Sequence, residues 1–425
     1  MRLALLIAFS TCIAAADDAG VPADKSAFHL FVLMGQSNMA GTSIPVLVEY
    51  VDPSPEVLVL RKDLVWRQAS TPLDPAHGGV FSLGQSFARH YAGLHPGVKV
   101  GLIQCARGGR GIKELAKGGK DRDGSPNYDN SLAKIRAAME RGTLKGVLWH
   151  QGETDNGDGG YVTKLAALVG DLRTDTGIAD LPVVVGQLGQ YATWTAGFNG
   201  HIPSAAKDIP HCAVAMSDGL LDLGDKVHFS GFASETFGAR YLEQYLQLAE
   251  PALVATWQPR SAAIAEAMAQ REQAWTAVLN GDMSEGVTRP FAWDSRWTGK
   301  GGFTVTRDTT QSVSPPASLC IVSNQGGVKG SVSQSLREVS GRKLRITAKI
   351  RNQGFSAAQI LMTAIDKSYK PCFNTVIITT ASTTGWQDFS AEVTVPAEAM
   401  RANLALGVDG EGSAWFDDIT LERLP

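Results

Sequence analysis

Ser37 sits in Gly35-Gln36-Ser37-Asn38-Met39, directly after an apolar run from Phe28 to Met34. A serine on the turn that leaves a buried strand presents its hydroxyl and its own backbone N–H to one point. Acyl transfer needs that pairing of a nucleophile with an oxyanion donor. The same serine would serve equally as a helix cap, so the turn must be read with three other places. Gly108-Gly109 follows the apolar run Val98 to Gln104, and adjacent glycines let backbone N–H groups approach a ligand closely. Gln151, in Trp149-His150-Gln151-Gly152-Glu153-Thr154-Asp155, carries a neutral amide donor that can meet developing negative charge without titrating. Asp225-Lys226-Val227-His228 sets an acid three residues before a histidine. There the acid can hold Nδ1–H and leave Nε2 to take a proton from Ser37. The chain order Ser, Asp, His recurs in several serine hydrolases. His150, directly after its strand, is read as support. His29, His77, His90, His95, His201 and His211 have no acid at a telling spacing and are assigned to surface or core.

These residues need a frame that brings distant turns together. From residue 17 to about 255, apolar runs alternate with helical stretches. Strands are expected at Phe28 to Met34, Val57 to Leu60, Val98 to Gln104, Gly146 to Trp149, Leu181 to Gln187 and Cys212 to Met216. Helices are expected at Ser82 to Tyr91, Tyr128 to Arg141, Val162 to Thr174 and Ser230 to Leu246. This rhythm predicts an α/β unit with a parallel sheet covered on both faces. Each candidate residue then lies past a strand end or just before a helix, and in a parallel sheet those ends converge on one edge.

Beyond this unit the texture changes. Ser261 to Leu279 reads as an alanine-rich helix, so residues 256–279 are expected to form a connector. From 280 to 425 the chain is rich in Thr, Ser and Val, with short alternating runs such as Leu344 to Ile350 and Trp415 to Leu421. That is the pattern of an all-β sandwich. Two domains suit a chain of 425 residues.

The formal charge of -3, with no Lys/Arg run, gives no sign of a nucleic-acid partner. Arg2, the apolar stretch Leu3 to Phe9 and Ala14-Ala15-Ala16 read as a secretory leader over residues 1–16, too short to span a bilayer. Cys12 raises a lipid-anchored alternative, but Phe9-Ser10-Thr11 is a poor lipoprotein cleavage site. A secreted or periplasmic chain with no membrane span is the expectation. Export permits disulfides, and Cys320 and Cys372 are a candidate pair; Cys105 and Cys212 complete the set after the leader.

The order Gly-Gln-Ser-Asn-Met, Gly-Gly, Trp-x-Gln-Gly-Glu-x-Asp and Asp-x-x-His resembles the SGNH-hydrolase superfamily. More narrowly it resembles the sialate O-acetylesterase and acetylxylan esterase branch of carbohydrate esterases, over roughly Phe28 to Leu246. The first and third motifs are quite specific. The resemblance implies a three-layer αβα fold and no metal for catalysis. It implies Ser37 as nucleophile, His228 as base and Asp225 as orienting acid. The oxyanion hole would be formed by the N–H groups of Ser37 and Gly109 with the Gln151 side chain. Glu153 matches the family's glutamate and could share or take over the acid's task. Gln36, Asn38 and Arg110 are assigned to substrate. The family often has Thr or Ser after the glycine pair, where this chain has Arg110, with Arg107 just before the pair. Two guanidinium groups could bind an anionic sugar, or pair with Glu153 or Asp155. The implied activity is hydrolysis of acetyl esters on a polysaccharide or sialic acid. A short-chain lipase- or thioesterase-like hydrolase and a non-catalytic polysaccharide-binding protein are the alternatives.

The C-terminal part resembles carbohydrate-binding modules of the jelly-roll type, in its opening Asn280 to Gly286 and its closing Ala414 to Ile419. That resemblance implies a structural calcium, with Asp282, Glu285 and Asp417 as oxygen ligands. Trp293, Trp297 and Trp386 are candidates for stacking on sugar rings, one exposed platform at most being expected.

Overall fold

The computed structural model describes residues 20–43, 45–73, 80–275, 278–293, 302–327 and 329–425. The expected leader and Trp297 lie outside the described residues.

The organising strand is β1 (Phe28–Gly35). Its side chains alternate: Leu30, Val32 and Met34 enter one apolar layer, Phe31 and Leu33 the other. A strand apolar on both faces is stable only between two layers of helix. Around it lie β2 (Ser54–Leu60), β3 (Trp66–Ala69), β4 (Lys99–Gln104), β5 (Thr143–His150), β6 (Val183–Gly186) and β7 (Cys212–Ala215). They form one sheet in the order β3-β2-β4-β1-β5-β6-β7. All neighbours are parallel except β2 and β3. β3 departs from the expected all-parallel sheet. Only residues 61–65 separate it from β2, too few for a crossover, so it folds back as an antiparallel edge.

The helices are α1 (Ser37–Ala40), α2 (Leu83–Leu94), α3 (Ile112–Leu115), α4 (Asn127–Met139), α5 (Tyr161–Thr176), α6 (Ala196–His201), α7 (Ala205–Asp208), α8 (Gly231–Ala249) and α9 (Val254–Ala274). Leu132 and Ile135 of α4 and Leu165 and Leu168 of α5 cover one face; Phe87 and Tyr91 of α2 and Phe237 and Tyr241 of α8 cover the other. α9 begins before Pro259 rather than after it, and its Trp257 is buried against α8, the indole N–H donating to the Ala239 carbonyl.

The second unit comprises β8 (Phe303–Asp308), β9 (Ser318–Ser323), β10 (Lys329–Leu336), β11 (Lys343–Gln353), β12 (Ala357–Ile365), β13 (Pro371–Thr380), β14 (Gln387–Thr394), β15 (Arg401–Asp409) and β16 (Gly412–Leu424). Two antiparallel sheets, β10-β15-β12-β13 and β14-β11-β16-β9-β8, enclose one apolar core. β11 and β12 bury alternate residues almost without exception, the signature of a sheet with one inward face.

Several expectations for this unit need correction. Cys320 and Cys372 are free thiols: Cys320 on β9 alternates with the core residues Leu319 and Ile321, whereas Cys372 on β13 packs against that core, and Cys105 and Cys212 are also unpaired. The implied calcium does not fit the residues present. Asp282 closes a local turn, accepting from the Ser284 N–H and hydroxyl. Glu285 faces Arg271 at 3.6 Å. The buried Asp417 accepts backbone N–H groups from Val313, Ser314 and Asp418. Among the described residues no acidic or histidine cluster could hold a metal. Trp293 is in the core and Trp386 is half-buried.

The two units share a seam. Tyr50, Phe81, Leu223 and Phe232 of the first pack with Trp275 and Phe291 at the entry to the second. Glu272 of α9 is buried there. It accepts from the Ser230 hydroxyl and forms an ion pair with Arg337, just past β10.

Candidate active site

β1 ends at Gly35, whose φ of 132° suits glycine alone; a Cβ there would lie 2.0 Å from the His150 carbonyl oxygen. That close approach lets the Gln36 N–H donate to the same carbonyl and swings the chain into α1, with Ser37 at its first position. A backbone N–H in a first helical turn has no carbonyl to meet within the helix. The loop after the adjacent β4 passes beside the serine: a Cβ on Gly108 would be 3.9 Å from that of Ser37. Gly109 follows at φ 65°, a left-handed conformation natural to glycine.

His228 arrives from the loop between β7 and α8. Its Nε2 lies 2.9 Å from Ser37 Oγ and its Nδ1 2.7 Å from Asp225 Oδ2. The other oxygen of Asp225 accepts the N–H groups of Val227 and His228. Burial pushes the Asp225 carboxyl up, but the imidazole and these two amides outweigh it and hold the group below its usual range. The carboxylate can only accept, so Nδ1 carries the proton and Nε2 faces the serine hydroxyl. The loop is braced on several sides. The Leu223 N–H donates to the His228 carbonyl, Asp222 accepts from the N–H groups of Gly224 and Lys226, and the Tyr191 hydroxyl donates to the Val227 carbonyl.

The other sequence-assigned residues stand behind this constellation. Gln151 is fully buried. Its amide nitrogen faces Gln36 Oε1, the Arg110 carbonyl and Asp155 Oδ2 at 3.1, 3.2 and 2.6 Å. Two N–H bonds already have three acceptors, so the side chain locks three loops together and offers no spare donor to an oxyanion. Asn38, expected at the substrate, is also buried. It donates to Glu153 and to the Val227 carbonyl, and its oxygen accepts the Phe229 N–H, tying the serine turn to the histidine loop. Gln36 is buried too, its oxygen accepting from Gln151 and from the Thr154 N–H. Arg110 is ion-paired to Asp121 and close to Glu114, not to Glu153 or Asp155, so its charge is spent within its own loop.

Glu153 does not take the acid's task. Its Oε1 accepts from Asn38 and lies 3.4 Å from His150 Nε2, away from His228. Burial raises its carboxyl, but His150 and Asn38 bring it below the ordinary value. His150 is fully buried, with Nδ1 3.2 Å from the Tyr241 hydroxyl.

Residues 27–247, which hold every residue of this constellation, match the family model described as carbohydrate esterase, sialic acid-specific acetylesterase. The chain belongs to that family. A probable carbohydrate esterase of Arabidopsis thaliana is 30% identical over 247 residues, covering 51% of this chain and 90% of that protein. The X-ray structure of an Arabidopsis thaliana protein aligns at 24% identity with a TM-score of 0.46, covering 52% of this chain and 98% of that one. The crystal structure of NanS aligns at 18% identity with a TM-score of 0.42, covering 52% and 97%. The sandwich aligns with the CBM22-1 xylan-binding domain of Paenibacillus barcinonensis Xyn10C at 13% identity and a TM-score of 0.29, covering 35% of this chain and 93% of that domain. Membership rests on the sequence match; the structural likenesses are too low to add to it.

In this member of the carbohydrate esterase family the supporting residues that sequence reasoning missed are Asp222, Tyr191, Ser230 and Tyr241. Asp222, three residues before Asp225, sits in the turn signal Leu220-Leu221-Asp222-Leu223-Gly224 and was readable as a turn acid. Tyr191 and Tyr241 act across the fold and leave no local signal. His90 and His95, assigned no acid, in fact face Glu235 at 2.8 Å and Glu250 at 2.7 Å.

Proposed function

We propose that the chain is an exported carbohydrate O-acetylesterase working by a Ser37-His228-Asp225 mechanism. The observation that carries this reading is the continuous relay of 2.7 and 2.9 Å from Asp225 through His228 to Ser37. Family membership supports an ester on a sugar as the substrate, and Arg2 with the apolar run after it supports export.

His228 Nε2 takes the Ser37 proton as Oγ attacks the acetyl carbonyl. The tetrahedral oxyanion forms against the backbone N–H groups of Ser37 and Gly109, which carry the stabilisation because the Gln151 amide is engaged elsewhere. The C–O bond to the sugar breaks, and the imidazolium returns its proton to the departing sugar oxygen. Water, deprotonated by His228, then attacks the acetyl-serine, and acetate leaves as Ser37 regains its proton. Asp225 holds the tautomer and stabilises the transient imidazolium; it stays ionised throughout.

The test is acetate release from acetylxylan, acetylated pectin, O-acetylated sialic acid and a long-chain ester, with Ser37→Ala beside the wild type. Serine-dependent release from a glycan is expected. Activity kept by Ser37→Ala sinks the nucleophile assignment. Preference for the long-chain ester points to a lipase-like hydrolase, and glycan binding without turnover to a binding protein.

A further inference from the structure

We propose that the turn at residues 366–370 of the C-terminal sandwich forms part of the rim of the esterase site, with the ring of Tyr369 as a stacking platform for a pyranose of the substrate. The proposal deepens the reading above and rests on it in one respect, that a sugar is what the site receives.

Strand register locates the turn. Leu336, the last residue of β10, pairs with Ala402 of β15, and Ala402 pairs with Ala364 of β12. The end of β10, the start of β15 and the end of β12 therefore make one edge of the four-stranded sheet. That edge is the docked one. Arg337 reaches Glu272, Glu272 holds the Ser230 hydroxyl, and the Trp275 indole donates to the Ser335 carbonyl. Ser230 is two residues past His228. The turn leaves β12 along this same edge, two strands from Arg337 and so about 10 Å away. The turn therefore lies on the end of the sandwich that docks against the segment just past His228.

The turn is built to present a side chain. Asp366 Oδ1 accepts the N–H groups of Ser368 and Lys370, and the Tyr369 N–H donates to the Asp366 carbonyl. This holds Tyr369 at φ 59°, a conformation bulky residues avoid. Its side chain stays 53% exposed, and no other aromatic ring among the described residues of the sandwich is so open. An independent sign of place comes from the phenol, which is raised first by crowding and then by the charge of Asp225. The apolar C–H face of a pyranose suits such a ring, and the hydroxyl can bond to a sugar hydroxyl. Of the tryptophans expected to do this, Trp293 and Trp386 are less exposed, and Trp297 lies outside the described residues.

The experiment compares the full-length wild type, Tyr369→Ala and Tyr369→Phe on an acetylated xylo-oligosaccharide, an O-acetylated sialic acid and ethyl acetate. For Tyr369→Ala, the ratio of kcat/KM on a sugar ester to that on ethyl acetate should fall about tenfold, mostly through KM. Tyr369→Phe, which keeps the ring, should stay within about threefold of wild type. An unchanged ratio, or equal loss on all three esters, overturns the proposal. Calorimetric binding of the two sugar esters to Ser37→Ala, with and without Tyr369→Ala, separates this from the reaction itself. If no serine-dependent acetate appears, the catalytic reading falls, and binding still decides: about tenfold weakening upholds the platform. Equal binding, or no binding to either sugar, ends it.

Discussion

Two acid–histidine pairs in the first domain share a spacing of three residues and differ in everything else. His150 and Glu153 lie behind the serine turn, the histidine fully buried and the two heads 3.4 Å apart. Asp225 and His228 lie in front of it, 2.7 Å apart, and the histidine keeps 16% of its side chain open. The inner ring is enclosed by Phe229, Phe237 and Tyr241, so no substrate proton can reach it. The outer ring has its acid on one nitrogen and a serine hydroxyl on the other. Spacing brings an acid and an imidazole together; what faces the second nitrogen decides between chemistry and support.

The sharpest way to break this comparison is to remove each imidazole. His228→Gln should lower kcat on an acetylated glycan on the order of 10⁶-fold, measured by acetate release, whereas His150→Gln should leave a readily measured rate. Comparable losses in both would erase the distinction. Asp225→Asn keeps the shape but frees the imidazole to take the wrong tautomer, and kcat should drop about 10⁴-fold with the fold intact by circular dichroism. Glu153→Gln should act on stability before turnover. It weakens the charge-assisted bond from Asn38 and should cost roughly 1–3 kcal/mol in denaturant unfolding at neutral pH, with kcat within about tenfold. The Glu153 carboxyl is held below its ordinary value, so its contribution is present above that value and is lost as pH falls through the folded one. The wild type's advantage over Glu153→Gln should therefore shrink in acid.

The smallest effect belongs to a third pair far along the chain from the serine, His95 with Glu250. Burial opposes the charge on His95, but Glu250 and the Tyr91 carbonyl outweigh it and raise the group above its ordinary 6.5. Its stabilisation is full below 6.5 and fades as pH rises through the folded value. Glu250 is lowered, so its share fades in acid. Melting temperatures of His95→Gln and wild type should differ most between roughly pH 5 and 6.5 and converge above neutrality; a constant gap would remove the pair from the pH response.

How much of this was legible follows the range of each interaction. β1 announced itself because it is apolar on both faces, and Ser37, Asp225 and His228 because their neighbours are local. The sandwich was legible as alternation, though β3 was not, since four residues carry little period. Gln151 and Asn38 show the limit. Their types suit an oxyanion or a substrate, and only the fold shows their donors spent on Asp155, Glu153 and Val227. The acids of His90 and His95 lie 145 and 155 residues away, beyond any spacing rule. The shared C-terminal location of Cys320 and Cys372 suggested a bridge, but Cys320 alternates with the core residues Leu319 and Ile321 while Cys372 packs against the core, and both stay free.

The serine hydroxyl and the imidazole that would activate it are 191 residues apart in the chain, on loops after the first and last strands of the sheet. Nothing local holds them together, so their 2.9 Å contact forms only when α8 has docked and the sheet is complete. In kinetic terms such a contact belongs to the late, high-separation end of folding. Turnover therefore counts finished molecules. A chain that has made its first strands and the Ser37 turn carries a serine with no base, and recovery of esterase activity on refolding should lag behind recovery of secondary structure.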